Sequence, residues 1–179
     1  SEAVELCLSC HADAEARVEL PNGDRVSLAV DLKSFASSVH GRDLRCSDCH
    51  AGMDEIPHPE RHARSAAEFH AGFRDACKTC HSDKYELSRG GVHAKQLASG
   101  NEAAPRCVDC HGAHDVFPAS KPRTRISDTC AACHPDVAET YLASVHGKAM
   151  ASGNPDVPVC VDCHRAHDIS DPRVESWIV

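Results

Sequence analysis

The sequence predicts a mostly α-helical chain with extensive irregular loops and one short β-hairpin near residues 17–28. Cysteine and histidine recur together along the whole chain, turn-forming residues interrupt the apolar stretches, and large apolar side chains are scarce. The chain has 179 residues but only one Trp, two Tyr and four Phe. A domain of this length normally buries a sizeable core. Groups other than side chains must therefore fill much of the interior.

All twelve cysteines belong to a Cys-x-x-Cys-His motif that occurs six times. The cysteine pairs are Cys7/Cys10, Cys46/Cys49, Cys77/Cys80, Cys107/Cys110, Cys130/Cys133 and Cys160/Cys163, followed by His11, His50, His81, His111, His134 and His164. This spacing is the attachment signature of c-type haem, because two thiols three residues apart can add to the two vinyl groups of one porphyrin. The adjacent histidine then ligates the iron. Six motifs predict six haem c groups with iron, around which the helices and loops are organised.

Other uses of paired cysteines explain this pattern less well. A disulfide framework needs an even number of cysteines, and twelve cysteines could also build three four-cysteine zinc sites. Neither arrangement explains why a histidine follows every second cysteine. A thioredoxin-like redox motif needs a βαβ context, and the sequence shows none. The residues therefore favour haem attachment.

The chain repeats itself with a period of 53 residues. Residues 77–129 and 130–179 form two copies, named repeat B and repeat C, and residues 1–58 form a diverged repeat A. The corresponding residues of B and C are Cys77 and Cys130, His81 and His134, His93 and His146, Cys107 and Cys160, His111 and His164, and His114 and His167. We expect one domain, residues 1–179, built from three two-haem repeats, with residues 59–76 as a connecting helix.

Local patterns predict the regular elements. In residues 17–28, Asn22-Gly23 lies between alternating apolar residues, which is a strong hairpin signal. Residues 60–76 are uninterrupted apart from Gly72, which predicts a helix. A second helix is expected over residues 135–146, because Pro135 suits a first turn and no helix breaker follows.

Eight histidines lie outside the motifs and can supply the second axial ligand of each iron. They are His40, His58, His62, His70, His93, His114, His146 and His167. His40, His93 and His146, the box histidines, share a Val-His setting; His114 and His167, the tail histidines, follow a motif histidine by three residues. A tail histidine leaves the backbone on the same side of the haem as that motif histidine. We therefore expect it to ligate a different haem.

Repeat A lacks a tail histidine, because Met53 occupies that position. Ligation by Met53 would raise the reduction potential of the haem at the second motif, Cys46/Cys49. His58, held between Pro57 and Pro59, offers a nitrogen ligand instead, and His62 or His70 are further candidates. We expect His58, and not Met53, to be the ligand, so that all axial positions are histidine.

Charge and hydrophobicity restrict location and partners. The formal net charge is −8, which argues against nucleic acid and favours electrostatically steered redox proteins. No stretch reaches the length of a membrane span. Because c-type haem is attached outside the cytoplasm, we expect an exported protein, periplasmic or extracellular, whose precursor carried a signal peptide.

The spaced motifs, the Ser-Val-His-Gly boxes and the Cys-His-Gly-Ala-His-Asp run resemble multihaem c-type cytochromes of respiratory bacteria, with cytochrome c3-like and tandem Cys-x-x-Cys-His families nearest. The resemblance implies electron transfer by a haem wire or relay and no enzymatic activity. It also implies redox protein partners, such as a membrane quinol-oxidising complex, an outer-membrane conduit, or copies of the chain in a filament. The alternative is a multihaem reductase of nitrite, hydroxylamine or a sulfur oxyanion, which needs one open haem site. No Cys-x-x-Cys-Lys motif, a mark of one nitrite reductase class, is present.

Overall fold

The structure is a computed structural model that describes residues 2–59, 61–73, 75–118 and 121–171. Most of its regular structure is helical, as predicted, and long irregular segments join the helices. The elements are α1 (Glu2–His11), β1 (Arg17–Glu19), β2 (Arg25–Ser27), α2 (Leu32–Ser37), α3 (Cys46–Cys49), α4 (Ala66–Ala71), a 3₁₀-helix (Ala76–Thr79), α5 (Ser82–Gly90), α6 (Val92–Ala98), α7 (Cys107–His111), α8 (Thr124–Ala131), α9 (Pro135–Ala143), α10 (Val145–Ala151) and α11 (Cys160–His164).

The predicted hairpin is confirmed. Strands β1 and β2 pair antiparallel, with Val18 opposite Val26. Gly23 has φ +89°, a left-handed conformation that suits glycine at the turn. Leu20 and Val26 are buried, each 6% exposed, so one face of the hairpin packs inward.

The expected helix over residues 60–76 is much shorter than its sequence suggested. Among the described residues 61–73, the α-helix is α4 (Ala66–Ala71). The Ser65 hydroxyl accepts a hydrogen bond from the Glu68 amide, which starts the helix at that point, and Gly72 ends it. The Ala66 amide donates to Asp24 Oδ2 over 2.8 Å. The free amide at the start of α4 is therefore satisfied by the hairpin turn.

The helix expected over residues 135–146 divides into α9 and α10. Ser144 is extended, with ψ 170°, and its hydroxyl accepts a hydrogen bond from the Gly147 amide. A serine in this position competes with helix continuation by capping the next helix. His146 consequently lies in the first turn of α10 rather than in the last turn of α9.

Few side chains form a hydrophobic core. Among the described residues the buried apolar side chains are Leu20, Val26, Ala104, Val157 and Val159. The chain divides into two compact units, residues 1–81 with 112–117, and residues 82–111 with 118–179. The first unit holds α1 to α4, the hairpin and the 3₁₀-helix, and the second unit holds α5 to α11. In the described part of the chain, no helix has the length and apolar character to cross a membrane.

Candidate haem-binding sites

The second motif of each repeat is wound into a short helix by its own aspartate. These helices are α3, α7 and α11, and the aspartate is the third motif residue in each. It accepts a hydrogen bond from the amide of the residue before the first cysteine: Arg45 to Asp48 2.7 Å, Arg106 to Asp109 2.7 Å, Val159 to Asp162 2.6 Å. An acid in the first turn satisfies a free amide and complements the helix dipole. The two cysteines are thereby held one helical turn apart.

The first motif of each repeat lies instead at the end of a helix or helical turn. In repeats B and C the motif histidine amide donates to the carbonyl of the first cysteine, over 2.9 Å for His81 to Cys77 and 3.0 Å for His134 to Cys130. None of the twelve cysteines forms a disulfide bond. Both kinds of motif therefore present two thiols and one imidazole from a single turn of backbone.

The two cysteines of a motif differ in exposure, although the sequence treats them as equivalent attachment points. The first cysteine is half-buried in four motifs and exposed at Cys77 and Cys107. The second cysteine is exposed in every motif, namely at Cys10, Cys49, Cys80, Cys110, Cys133 and Cys163. A helical turn of 3.6 residues rotates it by about 60° from the first cysteine, away from the packed side.

The second cysteine of each motif therefore lies on the outer side of its turn of backbone. The Cys10 thiol lies 3.8 Å from the Ser9 hydroxyl, its own neighbour in the chain. The Cys80 amide donates to the Cys77 carbonyl over 3.3 Å, again within one motif. Contacts within the motif therefore help to position these residues. Haem attachment at all twelve cysteines stays a prediction.

Histidines from distant parts of the sequence meet in pairs. Five motif histidines each face a histidine from outside the motifs, at nearly constant ring-centroid distances. The pairs are His11–His58 at 6.1 Å, His40–His81 at 6.1 Å, His50–His114 at 5.9 Å, His93–His134 at 6.2 Å and His111–His167 at 6.0 Å. Rings in van der Waals contact would be closer. Two metal–nitrogen bonds of about 2.0 Å, plus about 1 Å from each nitrogen to its ring centre, separate two axial imidazoles by about 6 Å.

The pairs fit iron that is ligated by two histidines, and they correct one partner choice. From the sequence, His58 is expected to serve the second motif, but its ring lies against His11 of the first motif. The ring facing His50 belongs to the tail histidine His114. The expected ligand lay within repeat A, whereas the structure supplies it from repeat B.

Three of the eight histidines outside the motifs lie outside these five pairs, namely His62, His70 and His146. His62 and His70 are both exposed. The described ring neighbour of His70 is Phe69, at 5.8 Å in an edge-on arrangement. His62 and His70 were the weaker ligand candidates in the sequence, and the structure places neither of them opposite a motif histidine.

Aromatic and cationic side chains surround His50 in addition to its paired histidine. The Phe73 ring meets it edge-on at 4.7 Å and 74°, and the Arg61 guanidinium lies 4.0 Å from the centre of Phe73. Burial lowers the pKa of His50, and the proximity of the protonatable His114 and His11 rings and of the Arg61 guanidinium lowers it further. Burial likewise lowers the pKa of His114 and of His93. All three imidazoles are thus held neutral, which is the form that ligates a metal.

Cysteines of neighbouring motifs lie side by side within each compact unit. Burial, and then the neighbouring Cys7, raise the pKa of the Cys46 thiol. In the same way, burial and then Cys160 raise the pKa of Cys130 to about 11. Burial, then the charge of Asp109 and then Cys133, raise the pKa of Cys110. The raised pKa favours the protonated form of Cys46, Cys110 and Cys130.

Repeat C contains a substitution that sequence comparison alone did not explain. Arginine precedes the second motif in repeats A and B, whereas Val159 takes that place in repeat C and is 2% exposed. In repeat A the Arg45 guanidinium pairs with Asp48, and in repeat C Arg123, 39 positions away, pairs with Asp162. The Tyr141 hydroxyl braces the same segment by donating to the Pro158 carbonyl over 2.8 Å. The sequence shows that valine replaces arginine at this position, but it does not indicate which arginine pairs with Asp162.

Comparison with known proteins adds one match. Residues 32–112 match a family model described as cytochrome c7 and related cytochrome c. This segment is similar to multihaem cytochromes c. It spans a little under half of the chain and includes three of the six motifs. The match supports a multihaem c-type cytochrome that binds haem covalently and transfers electrons to redox partners. No curated protein and no solved structure matches the chain.

Proposed function

We propose that this chain is a six-haem electron carrier, a relay of c-type haems in the periplasm or at the cell surface. The observation that carries the proposal is the set of five histidine pairs at 5.9–6.2 Å. That separation suits one iron between two imidazoles, and each pair joins a motif histidine to a histidine outside the motifs. Three two-haem repeats, A, B and C, supply the six attachment motifs.

The bound haems supply irons that alternate between ferric and ferrous states. Each of the five histidine pairs would hold its iron through two nitrogen atoms in both states, so little rearrangement would accompany electron transfer. At these five irons no position would be left for a small substrate. This arrangement favours the relay over a reductase of nitrite, hydroxylamine or a sulfur oxyanion.

Contacts between motifs support close spacing of the haems. The Cys46 thiol lies near enough to Cys7 for Cys7 to raise its pKa, and Cys160 has the same effect on Cys130. The first and second motifs are thus attached at adjacent points, and so are the fifth and sixth. The chain's own contribution is therefore to hold consecutive cofactors close together, with the acidic surface expected from a net charge of −8 available for basic redox partners.

Two measurements on the exported holoprotein test the proposal. Mass spectrometry of the denatured protein should show six covalently attached haems, because thioether bonds survive denaturation. Electron paramagnetic resonance of the ferric protein should show low-spin signals from at least the five haems whose histidines are paired. The His62→Ala variant is the control, and it should give the same spectrum. Fewer than six haems, or high-spin iron at a paired site that binds carbon monoxide when reduced, would contradict the relay.

A further inference from the structure

The histidine pairs follow a rule across the repeats. The box histidine of repeat A pairs with the first-motif histidine of repeat B, His40 with His81 at 6.1 Å. The box histidine of repeat B pairs in the same way with repeat C, His93 with His134 at 6.2 Å. Each box histidine thus serves the repeat that follows its own.

Backbone contacts obey the same rule. The Val39 amide, just before the box histidine of repeat A, donates to the Val116 carbonyl over 2.8 Å. The Val92 amide of repeat B donates to the Ile169 carbonyl, also over 2.8 Å. Both acceptors lie two residues after the tail histidine of the following repeat. A following repeat therefore docks on each box through one imidazole and one backbone hydrogen bond.

The box of repeat C presents the same groups at the surface. His146 is exposed, whereas His40 and His93 are half-buried. Val145 is 76% exposed, compared with 44% for Val39. Its amide is at the free N-terminus of α10, and within the described residues no carbonyl of a tail segment accepts from it.

We propose that Val145 and His146 form a docking face for a further haem-bearing repeat of the B and C pattern, and that His146 ligates the iron of that repeat's first motif. This inference rests on the proposed function. It assigns His146 to a haem outside the six of this chain, in place of the expectation that His146 serves one of them.

The occupant is argued from the other end of the chain. A second copy would have to present its repeat A, but His11 there already faces His58 at 6.1 Å. Met53 also stands where repeats B and C carry a tail histidine. A docking repeat therefore needs the features of B or C, namely an uncommitted first-motif histidine and a tail segment with a free carbonyl.

Matched variants of the 179-residue holoprotein give the first test. His93→Ala, at the corresponding position of repeat B, should convert one haem to high spin in the ferric spectrum. His146→Ala should leave the spectrum of the six haems unchanged. One new high-spin haem in His146→Ala would overturn the proposal. If His93→Ala does not assemble, His40→Ala provides the same comparison.

Chemical labelling of the unmodified holoprotein gives a result that does not depend on any variant. Diethyl pyrocarbonate modifies imidazoles that are not bound to metal. Peptide mapping should find His146 modified in the folded protein and His93 protected. Protection of His146 in the monomer would show that an iron of this chain holds it, and would overturn the proposal.

An extended protein tests the occupant. Repeating residues 127–179 once after Val179 keeps the 53-residue period and adds two motifs. In this eight-haem protein His146→Ala should now produce one high-spin haem, although it has no effect in the shorter protein. An unchanged spectrum would overturn the docking face. Dimerisation of the shorter protein that is lost in His146→Ala would instead show that a second copy is the occupant. The proposed function is tested separately, by the haem count and by the low-spin signals of the paired irons, and it does not depend on these outcomes.

Discussion

Replacing His114 with alanine should change the haem of the Cys46/Cys49 motif, although His114 lies only three residues after a different motif histidine. Its ring centre is 5.9 Å from that of His50. In His114→Ala this iron loses one of its two nitrogen ligands and should become high spin. The haem attached next to His111 should be unaffected, because His111 is paired with His167 at 6.0 Å.

The structure also gives the size of the effect on stability. His50 and His114 are 64 positions apart, so the bridge between them closes a long loop. For a cross-link over a loop of this length, chain entropy gives about 4 kcal/mol of stabilisation, which is an upper bound for a ligand bond that opens reversibly. In His114→Ala, one haem of six should change its spin state, and the free energy of unfolding should fall by up to about 4 kcal/mol.

Spin state and denaturant unfolding measure the two effects in the same sample. Ferric His114→Ala should show one high-spin haem that returns to low spin when imidazole is added, and its denaturant midpoint should fall. His62→Ala removes an exposed histidine that faces no motif histidine, so it should alter neither. A double variant with His167→Ala should show two high-spin haems. An all-low-spin spectrum for His114→Ala would refute the pairing, whatever happened to stability.

Three smaller predictions follow from single contacts. Met53→Leu should leave every haem potential and spin state unchanged, and a selective drop in one potential on redox titration would restore methionine as a ligand. Tyr141→Phe removes the hydrogen bond to the Pro158 carbonyl and should lower the free energy of unfolding by about 1 kcal/mol; no change in the denaturant midpoint would show that the bond contributes nothing. The Ala66 amide, and then Asn22, lower the pKa of Asp24, so its stabilising effect is present above the unfolded value of about 3.9 and is lost as pH falls through the lower folded pKa. Asp24→Asn should therefore be less stable than wild type at neutral pH, with the difference shrinking in acid, and a difference independent of pH would contradict this.

The helical class, the hairpin and the six attachment motifs were readable from the sequence because they depend on local chemistry. Two thiols three residues apart, or Asn22-Gly23 between alternating apolar residues, specify their geometry within a few bonds. Helix ends were less predictable. Ser65 and Ser144 each begin a helix inside a stretch that looked continuous, since a serine can either tolerate a helix or cap the next one.

The partners of the histidines were decided by the tertiary structure. The sequence shows that His58 and His114 lie outside the motifs, but nothing near them in the chain indicates that one faces His11 and the other His50. In the same way, nothing near Asp162 in the sequence indicates that its ion-pair partner is Arg123. The physical reason is common to both cases. A motif is set by neighbours in the chain, whereas an axial pair or an ion pair requires two groups at a fixed distance in space, and only the path of the intervening backbone brings them there.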